Sequence, residues 1–70
     1  MEKFGIKLYY LRKQKKLSQQ KLGEMLDVSG SHIGAMERNE KMPNAPMILK
    51  IAAIFDVTTD ELMKDDLDLA

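Results

Sequence analysis

QQKLGEMLDVSGSHIGAME, residues 19–37, contains two short apolar patterns separated by a turn. Leu22 and Leu26 are four residues apart, so they can share one face of a helix. Ile33 and Met36, three residues apart, can share a face of the next helix. Two short helices with apolar faces turned towards each other form a helix-turn-helix. Because such a pair cannot bury its apolar side alone, the rest of the chain is expected to support it.

The turn between the two helices is Asp27-Val28-Ser29. Asp adopts the left-handed backbone conformation that ends a helix more readily than most residues, although less readily than Gly. Val28 supplies an apolar side chain for the corner. Ser29 can accept a hydrogen bond from a free N–H group of the following helix, as its N-cap. These residue types predict a tight turn that leads directly into the second helix of the pair.

The length of 70 residues allows one domain, near the lower limit for a hydrophobic core without other support. The absence of Cys excludes a disulfide and a thiolate metal site, and nothing indicates an oxidising compartment. No apolar run is long enough to span a bilayer, and Met1 leads into a charged helix rather than a signal peptide. We therefore expect a cytoplasmic protein.

The charge is distributed unevenly, although the formal net charge is zero. Residues 1–21 contain seven basic residues and one acidic residue, whereas much of the negative charge lies in residues 60–68. A neutral chain with a basic end can still offer a surface that binds phosphate groups. The same charges could equally do no more than solvate helix surfaces.

Three further helices are predicted around the central pair, over residues 2–15, from Pro46 to about residue 55, and from Thr58 or Thr59 through Met63. Ser18 can cap the second helix, and the third is expected to run from Gly30 to about Arg38. The positions expected to face the core from the three supporting helices are Phe4, Leu8, Leu11, Ile48, Ile51, Ala52, Phe55 and Leu62. Residues 65–70 are acidic and are expected to fray, which leaves a domain of residues 1–64 and a flexible tail.

The chain resembles the Cro/C1-type helix-turn-helix family over about residues 4–63. This family comprises the lambda-repressor-like DNA-binding domains, also called the XRE family. The resemblance is carried by Leu-Ser-Gln at 17–19, Val-Ser at 28–29 and Glu-Arg-Asn at 37–39, which are specific only in combination. It implies an all-α, five-helix lambda-repressor-like bundle with the helix-turn-helix at helices two and three. It also implies binding to operator DNA, usually as a homodimer. No cofactor or metal is expected, because no residues of the sequence suggest a site for one.

Base contacts are implied for the third helix, whose N-terminal residues reach into the major groove in such domains. The positions that match the family's base-contacting residues are Gly30, Ser31, His32 and Ala35. Ser31 and His32 can hydrogen-bond with bases, and Ala35 could touch a thymine methyl group. No bidentate Arg–guanine or Gln–adenine pair is available, so we expect modest sequence discrimination and a large share of affinity from phosphates and DNA shape. The alternative for His32 is a solvated surface residue.

Phosphate contacts are implied near the N-termini of the second and fourth helices. The matching positions are Ser18, Gln19, Arg38, Asn39 and Lys41, for which the alternative is capping and solvation. The resemblance further implies a partly buried ion pair between Arg12 and Glu37 that joins the first helix to the end of the third. The alternative is two separate surface charges.

The chain departs from the family pattern at several glycine positions. Lys16, Asp27 and Asp56 stand where the family commonly has a helix-ending Gly, and a left-handed residue other than Gly costs on the order of 1 kcal/mol. Gly23 and Gly34 lie inside helices, where Gly costs about 1 kcal/mol relative to Ala. Gly23 could allow the second and third helices to approach closely. These choices predict modest stability and a soft recognition helix.

A homodimer interface is expected on the C-terminal half, through the apolar residues off the core stripe, namely Met47, Ala53, Ile54 and Met63. A second apolar cluster, Ile6, Tyr9 and Tyr10, is an alternative interface, and scattered exposed side chains are the third possibility. A two-fold dimer would place two third helices roughly 34 Å apart, one turn of DNA, on a palindromic site.

Two functions remain open from the sequence. The first is a DNA-binding transcriptional regulator, in the simplest case a repressor. The second is a protein-interaction module or antitoxin-like component of the same fold, with weak or no specific DNA recognition. A regulatory protein partner is possible in either case. The few base-reading side chains and the neutral charge support the second, but the resemblance makes the first the expected function. An enzyme is not expected, because His32 is the sole His and no residues suggest a nucleophile, metal cluster or phosphate loop.

Overall fold

The computed structural model describes residues 1–69 and folds them into five α-helices, with no strand in that range. The helices are α1 (Phe4–Gln14), α2 (Gln19–Leu26), α3 (Gly30–Glu37), α4 (Ala45–Phe55) and α5 (Thr59–Met63). Helices α2 and α3 pack on each other, α1 packs against α3 and α5, and α4 packs against α5 and α2. The prediction of an all-α, five-helix bundle is confirmed.

The turn between α2 and α3 has the predicted chemistry. Asp27 ends α2 in the left-handed conformation, with φ 60° and ψ 42°. The Val28 N–H donates to the Gly23 carbonyl over 2.8 Å, which closes the helix end. The Ser29 hydroxyl accepts from the His32 N–H over 3.1 Å, which satisfies one of the free donors at the start of α3. The short polar side chains of the turn therefore stop one helix and start the next.

The hydrophobic core lies between the five helices, each of which contributes buried apolar side chains. Every apolar residue predicted to face inward is buried, and Phe4, Leu8, Leu22, Ile33, Met36, Ile51 and Leu62 are fully buried. Leu17, Val28 and Val57, which occupy the corners, pack partly against this core. Because Ile33 and Met36 anchor α3 from behind, the opposite side of its first turn is left facing outward.

The start of α1 differs from the prediction and meets the C-terminal segment instead. The helix begins at Phe4 rather than at residue 2. The N–H groups of Lys3 and Glu2 donate to the Asp65 carboxylate over 2.8 and 2.9 Å. These backbone hydrogen bonds, from Lys3 first and Glu2 second, hold the pKa of Asp65 below its ordinary value. Asp65 thus supplies acceptors for donors that precede the helix.

Lys7 fastens the same C-terminal segment to α1. Its side chain is buried, and its ammonium group donates to the carbonyl oxygens of Glu61, Lys64 and Leu67 over 2.6, 2.8 and 2.6 Å. Leu69 also packs partly against the core. The predicted domain boundary after residue 64 separates residues that Lys7 holds together. It was drawn from the acidic composition of residues 65–70, which does not reveal these contacts. The expectation for Ala70 lies outside the described residues.

Two helix-interior glycines have different surroundings. A Cβ atom at Gly23 would lie 2.6 Å from the Val28 carbonyl oxygen and 3.0 Å from the Ser29 carbonyl carbon, both of which belong to the backbone of the turn. A Cβ atom at Gly34 would instead lie 3.1 Å from Arg38 Nη1 and 3.2 Å from Gln19 Nε2. Gly23 therefore permits the close approach of α2 to α3, whereas Gly34 lies beneath the ends of two flexible side chains.

The alanine variants of these glycines are expected to change stability in opposite directions. Gly34→Ala should raise the free energy of unfolding by up to about 1 kcal/mol, because Ala is the better helix former and side-chain ends can shift. Gly23→Ala should lower it by about 1–3 kcal/mol, because the backbone of the turn would have to move. Urea denaturation followed by circular dichroism measures both. A stabilised Gly23→Ala variant would contradict the packing described for the turn.

Candidate nucleic-acid interface

The first turn of α3 presents a small polar surface to solvent. Ser31 is exposed, and Gly30 and His32 are half-buried, while Ile33 directly behind them is fully buried. Ala35, the fourth residue implied to contact bases, retains only 8% of its exposure. Only a small part of Ala35 is therefore accessible to a base, and its contact with a thymine methyl group stays a prediction. The side chains most available to bases on this turn are those of Ser31 and His32.

The N-termini of α2 and α3 meet at one cleft. A Cβ atom at Gly30 would lie 3.1 Å from Gln20 Cα, so the two helix starts are in close contact. The residues that line the cleft are Gln19, Gln20, Glu24, Val28, Ser29, Gly30 and Ser31. Gln19 therefore lies on the same side of the molecule as Ser31. This arrangement places the free backbone N–H groups at the start of α2 beside the exposed turn of α3.

Arg12 and Glu37 form a buried ion pair behind this cleft. Arg12 Nε lies 2.6 Å from Glu37 Oε2, and the two side chains keep only 8% and 6% of their exposure. A second guanidinium nitrogen, Nη2, donates to Glu37 Oε1 over 3.2 Å, and Nη1 donates to the Leu17 carbonyl over 2.8 Å. Gln19 Nε2 also donates to Glu37 Oε1 over 3.1 Å. The carboxylate of Glu37 thus holds α1, the end of α3 and the first residue of α2 together.

The residues implied to contact phosphate differ in how free their donors are. Ser18 and Lys41 are exposed, although the Ser18 hydroxyl already accepts from the Lys21 N–H as the α2 cap. Gln19 has one amide donor directed at Glu37. Arg38 is exposed, but its guanidinium donates to the Glu40 carboxylate over 3.0 and 3.2 Å. This hydrogen-bonded pair raises the pKa of Arg38 and lowers that of Glu40.

Asn39, one of the residues implied to contact phosphate, has a structural role at the start of α1. It adopts the left-handed conformation, with φ 58°. Its side-chain amide donates to the Glu2 carbonyl over 2.6 Å and accepts from the Gly5 N–H over 3.1 Å. Because both ends of the amide are used at the start of α1, we leave Asn39 out of the phosphate contacts proposed below, and its contact with phosphate stays a prediction. Asn adopts the left-handed conformation after a helix more readily than most residues. Its position just after α3 in the sequence was therefore the available signal for this role.

The residues expected at a dimer interface are only partly exposed. Met47 and Ile54 are half-buried and pack partly against the core, whereas Ala53 and Met63 are exposed. Leu49 was not predicted, yet it is 63% exposed beside Met63. These two residues line an apolar groove between α4 and α5 together with Ala45, Ile48 and Thr59. Leu49 follows Ile48 and falls off the core stripe of α4, which was the available signal.

The alternative apolar cluster on α1 is exposed as well. Ile6, Tyr9 and Tyr10 retain 67%, 46% and 55% of their exposure. The Tyr9 ring lies beneath two cations, with Arg12 Cζ at 5.4 Å and Lys13 Nζ at 5.8 Å from its centroid. Within residues 1–69, no group of three or more His, Cys, Asp or Glu residues could hold a metal ion. No helix of the described chain is long and apolar enough to cross a bilayer.

Comparison with known proteins gives consistent matches. The helix-turn-helix family model matches residues 8–62. The HTH-type transcriptional activator BcrR of Enterococcus faecalis is 38% identical over 63 residues, which cover 90% of this chain and 31% of that protein. The chain thus spans about a third of the length of this relative.

Solved structures with this fold include DNA-binding proteins. The P22 c2 repressor in complex with a synthetic operator has a TM-score of 0.83 and 33% identity, covering 90% of this chain and 96% of that one. The N-terminal DNA-binding domain of SinR from Bacillus subtilis has a TM-score of 0.81 and 26% identity, covering 97% and 100%. The restriction-modification controller protein C.AhdI from Aeromonas hydrophila has a TM-score of 0.75 and 36% identity, covering 87% and 88%.

Proposed function

This chain belongs to the Cro/C1-type helix-turn-helix family of DNA-binding transcriptional regulators. We propose that it binds double-stranded DNA with α3 in the major groove. The observation that carries the proposal is the cleft at which the starts of α2 and α3 meet. The cleft brings the exposed Ser31 of α3 beside the free backbone donors of α2, and the half-buried His32 follows Ser31 in the same turn of α3. A groove-binding helix beside a phosphate-binding helix end is the geometry that major-groove reading requires.

Sequence reading by this surface is proposed to be modest. Ser31 and His32 can each donate or accept a hydrogen bond, but neither forms the bidentate pair that Arg makes with guanine or Gln with adenine. Such a pair is worth roughly 1–3 kcal/mol of discrimination per base. We therefore expect phosphate contacts and DNA shape to supply most of the affinity, as the absence of long polar side chains on the turn suggests.

The phosphate-contacting set we propose consists of Ser18, Gln19, Arg38 and Lys41. The Gln19 side chain donates to the buried Glu37, while its backbone N–H, at the first position of α2, has no acceptor within the helix. Lys41 and Arg38 add positive charge on exposed side chains. The family resemblance also places the N-terminus of α4, which Asn44 caps, near a phosphate group.

A homodimer on a palindromic operator completes the proposal. The apolar groove between α4 and α5, flanked by the exposed Leu49 and Met63, offers a surface that a second copy could cover. Two copies related by a two-fold axis would place their α3 helices about one DNA turn apart, roughly 34 Å. Occupying an operator is enough to block a promoter, so we propose repression as the mode of regulation.

A salt titration of binding to mixed-sequence duplex DNA tests this proposal. Affinity should fall steeply as salt rises, because each neutralised phosphate contributes a slope of about −0.9 in log K against log salt. Lys41→Ala should weaken binding to every sequence alike and make that slope shallower by about one. Lys64→Ala is the matched control, since Lys64 is an exposed lysine outside the proposed interface, and it should bind like the wild type.

Absence of binding even at low salt would contradict the proposed function. It would favour the protein-interaction module instead, for which the exposed Ile6 and Tyr10 on α1 provide a contact surface. Equal losses for Lys41→Ala and Lys64→Ala would show binding through overall charge rather than through the proposed face.

A further inference from the structure

We propose that Glu40 is a built-in competitor for DNA phosphate at Arg38, and that it limits the affinity of this domain for all sequences alike. The inference rests on the proposed function, because it concerns how the same surface meets DNA. The two side chains are similarly exposed, at 61% for Arg38 and 59% for Glu40. Both side chains are therefore accessible to solvent and to an approaching phosphate group.

The hydrogen-bonding geometry of the pair is the one that a phosphate would use. Arg38 Nε donates to Glu40 Oε2 over 3.0 Å, and Arg38 Nη2 donates to Glu40 Oε1 over 3.2 Å. Arg binds carboxylate and phosphate groups through the same fork of two parallel N–H donors. A phosphate that takes up this fork must therefore displace the Glu40 carboxylate, or bind beside a negative charge.

The backbone of the turn after α3 holds Glu40 in this position. Asn39 is left-handed, and its side chain is fastened to the start of α1 through Glu2 and Gly5. The N–H groups of Glu40 and Lys41 both donate to the Ala35 carbonyl, over 2.8 and 3.3 Å. These contacts fix the backbone of residues 39–41, and the Glu40 carboxylate points back towards the Arg38 guanidinium.

Glu37, the other carboxylate close to Arg38 in sequence, cannot play this part. It is buried, and its two oxygens accept from Arg12 and Gln19. Gly34 lies under the guanidinium, where a Cβ atom would be 3.1 Å from Arg38 Nη1. The guanidinium thus rests between a bare stretch of α3 and Glu40, and Glu40 is the group that an incoming phosphate would replace.

The test compares the affinity of the wild type and of Glu40→Gln for one duplex across a range of salt concentrations. Exposed ion pairs are weak, so releasing Arg38 should tighten binding by about two- to fivefold at low salt. The slope of log K against log salt should also become steeper, because one more cation becomes free to contact phosphate. The gain should be the same for every duplex sequence, since phosphates carry no sequence information.

Two controls separate competition at Arg38 from a general change of charge. Asp60→Asn removes one negative charge from another exposed ion pair, with Lys64, and should leave the affinity unchanged. The second control adds Glu40→Gln to an Arg38→Ala variant, in which it should no longer tighten binding. Weaker or unchanged binding by Glu40→Gln, or the same gain in the Arg38→Ala background, would overturn the inference while leaving the proposed function in place. Absence of binding by the wild type itself would overturn both.

Discussion

Glu37→Ala is expected to lower the free energy of unfolding by about 3–5 kcal/mol, because it leaves the Arg12 guanidinium buried without its counter-charge. Both side chains of the pair are more than nine-tenths buried, and the Nε to Oε2 distance is 2.6 Å. Gln19 loses its acceptor at the same time. Since small domains have only about 5–15 kcal/mol of stability in total, the variant is expected to be largely unfolded at moderate temperature.

The matched control for this prediction is Glu40→Ala, which removes the carboxylate of an exposed Arg–Glu pair. Its stability should change by no more than about 1 kcal/mol, the usual limit for a surface ion pair. Thermal and urea denaturation would compare the three proteins. A double variant, Arg12→Met with Glu37→Met, is expected to regain part of the loss, because replacing a whole buried pair by apolar residues is often tolerated. Equal stability of Glu37→Ala and the wild type would refute the role assigned to the pair.

Lys7→Met is expected to have the second largest effect, a loss of at least about 1.5–3 kcal/mol, which is typical for one hydrogen bond to a charged group. Methionine retains an apolar stem of similar length, but it leaves the carbonyl oxygens of Glu61, Lys64 and Leu67 without their shared donor. These carbonyls lie in and after the last turn of α5, and the Lys7 ammonium group ties all three of them to α1. The C-terminal segment should therefore separate from α1.

Lys3→Met serves as the control for the Lys7 variant, since Lys3 is an exposed lysine that precedes the same helix. Its backbone N–H would still donate to Asp65, so its stability should remain close to that of the wild type. Urea denaturation gives the free energies, and amide hydrogen exchange of residues 64–69 reports whether the segment has separated. Wild-type stability and protection in Lys7→Met would show that the three hydrogen bonds contribute nothing.

The helices and the core followed from the sequence because both depend on local patterns. The spacing of Leu22, Leu26, Ile33 and Met36 determined which sides of α2 and α3 are buried, and the structure buries all four. Ser18 and Ser29 were recognised as caps, because a hydroxyl before a helix has few other uses. Periodicity and capping involve residues at most a few positions apart, which is why they could be read without coordinates.

Polar contacts between distant residues could not be obtained in this way. Lys7 is one of the seven basic residues counted near the N-terminus, yet its ammonium group reaches carbonyls more than fifty residues away. Asp65 looked like part of a solvated tail but binds the backbone at the start of α1. The family resemblance placed Asn39 on a phosphate, whereas its amide is used within the protein. In each case the partner is distant in the sequence and becomes a neighbour only in the folded chain.

The same limit applies to the candidate interface. The resemblance supplied Ser31, His32 and Gln19, and the structure places Gln19 and Ser31 at one cleft. It could not supply the pairing of Arg38 with Glu40, because the direction of Glu40 depends on the left-handed Asn39. It also could not show that Ala35 is buried, since the burial of one methyl group depends on how the neighbouring turn packs.

Amide chemical-shift mapping during titration with duplex DNA tests the central claim most directly. The account predicts that the largest changes fall on residues 18–21, 30–32 and 38–41, which belong to the cleft and to the turn after α3. The amides of Ile6, Tyr9 and Tyr10 on α1 should change little. Large changes confined to α1, with residues 30–32 unaffected, would contradict the assignment of the first turn of α3 as the surface that meets DNA.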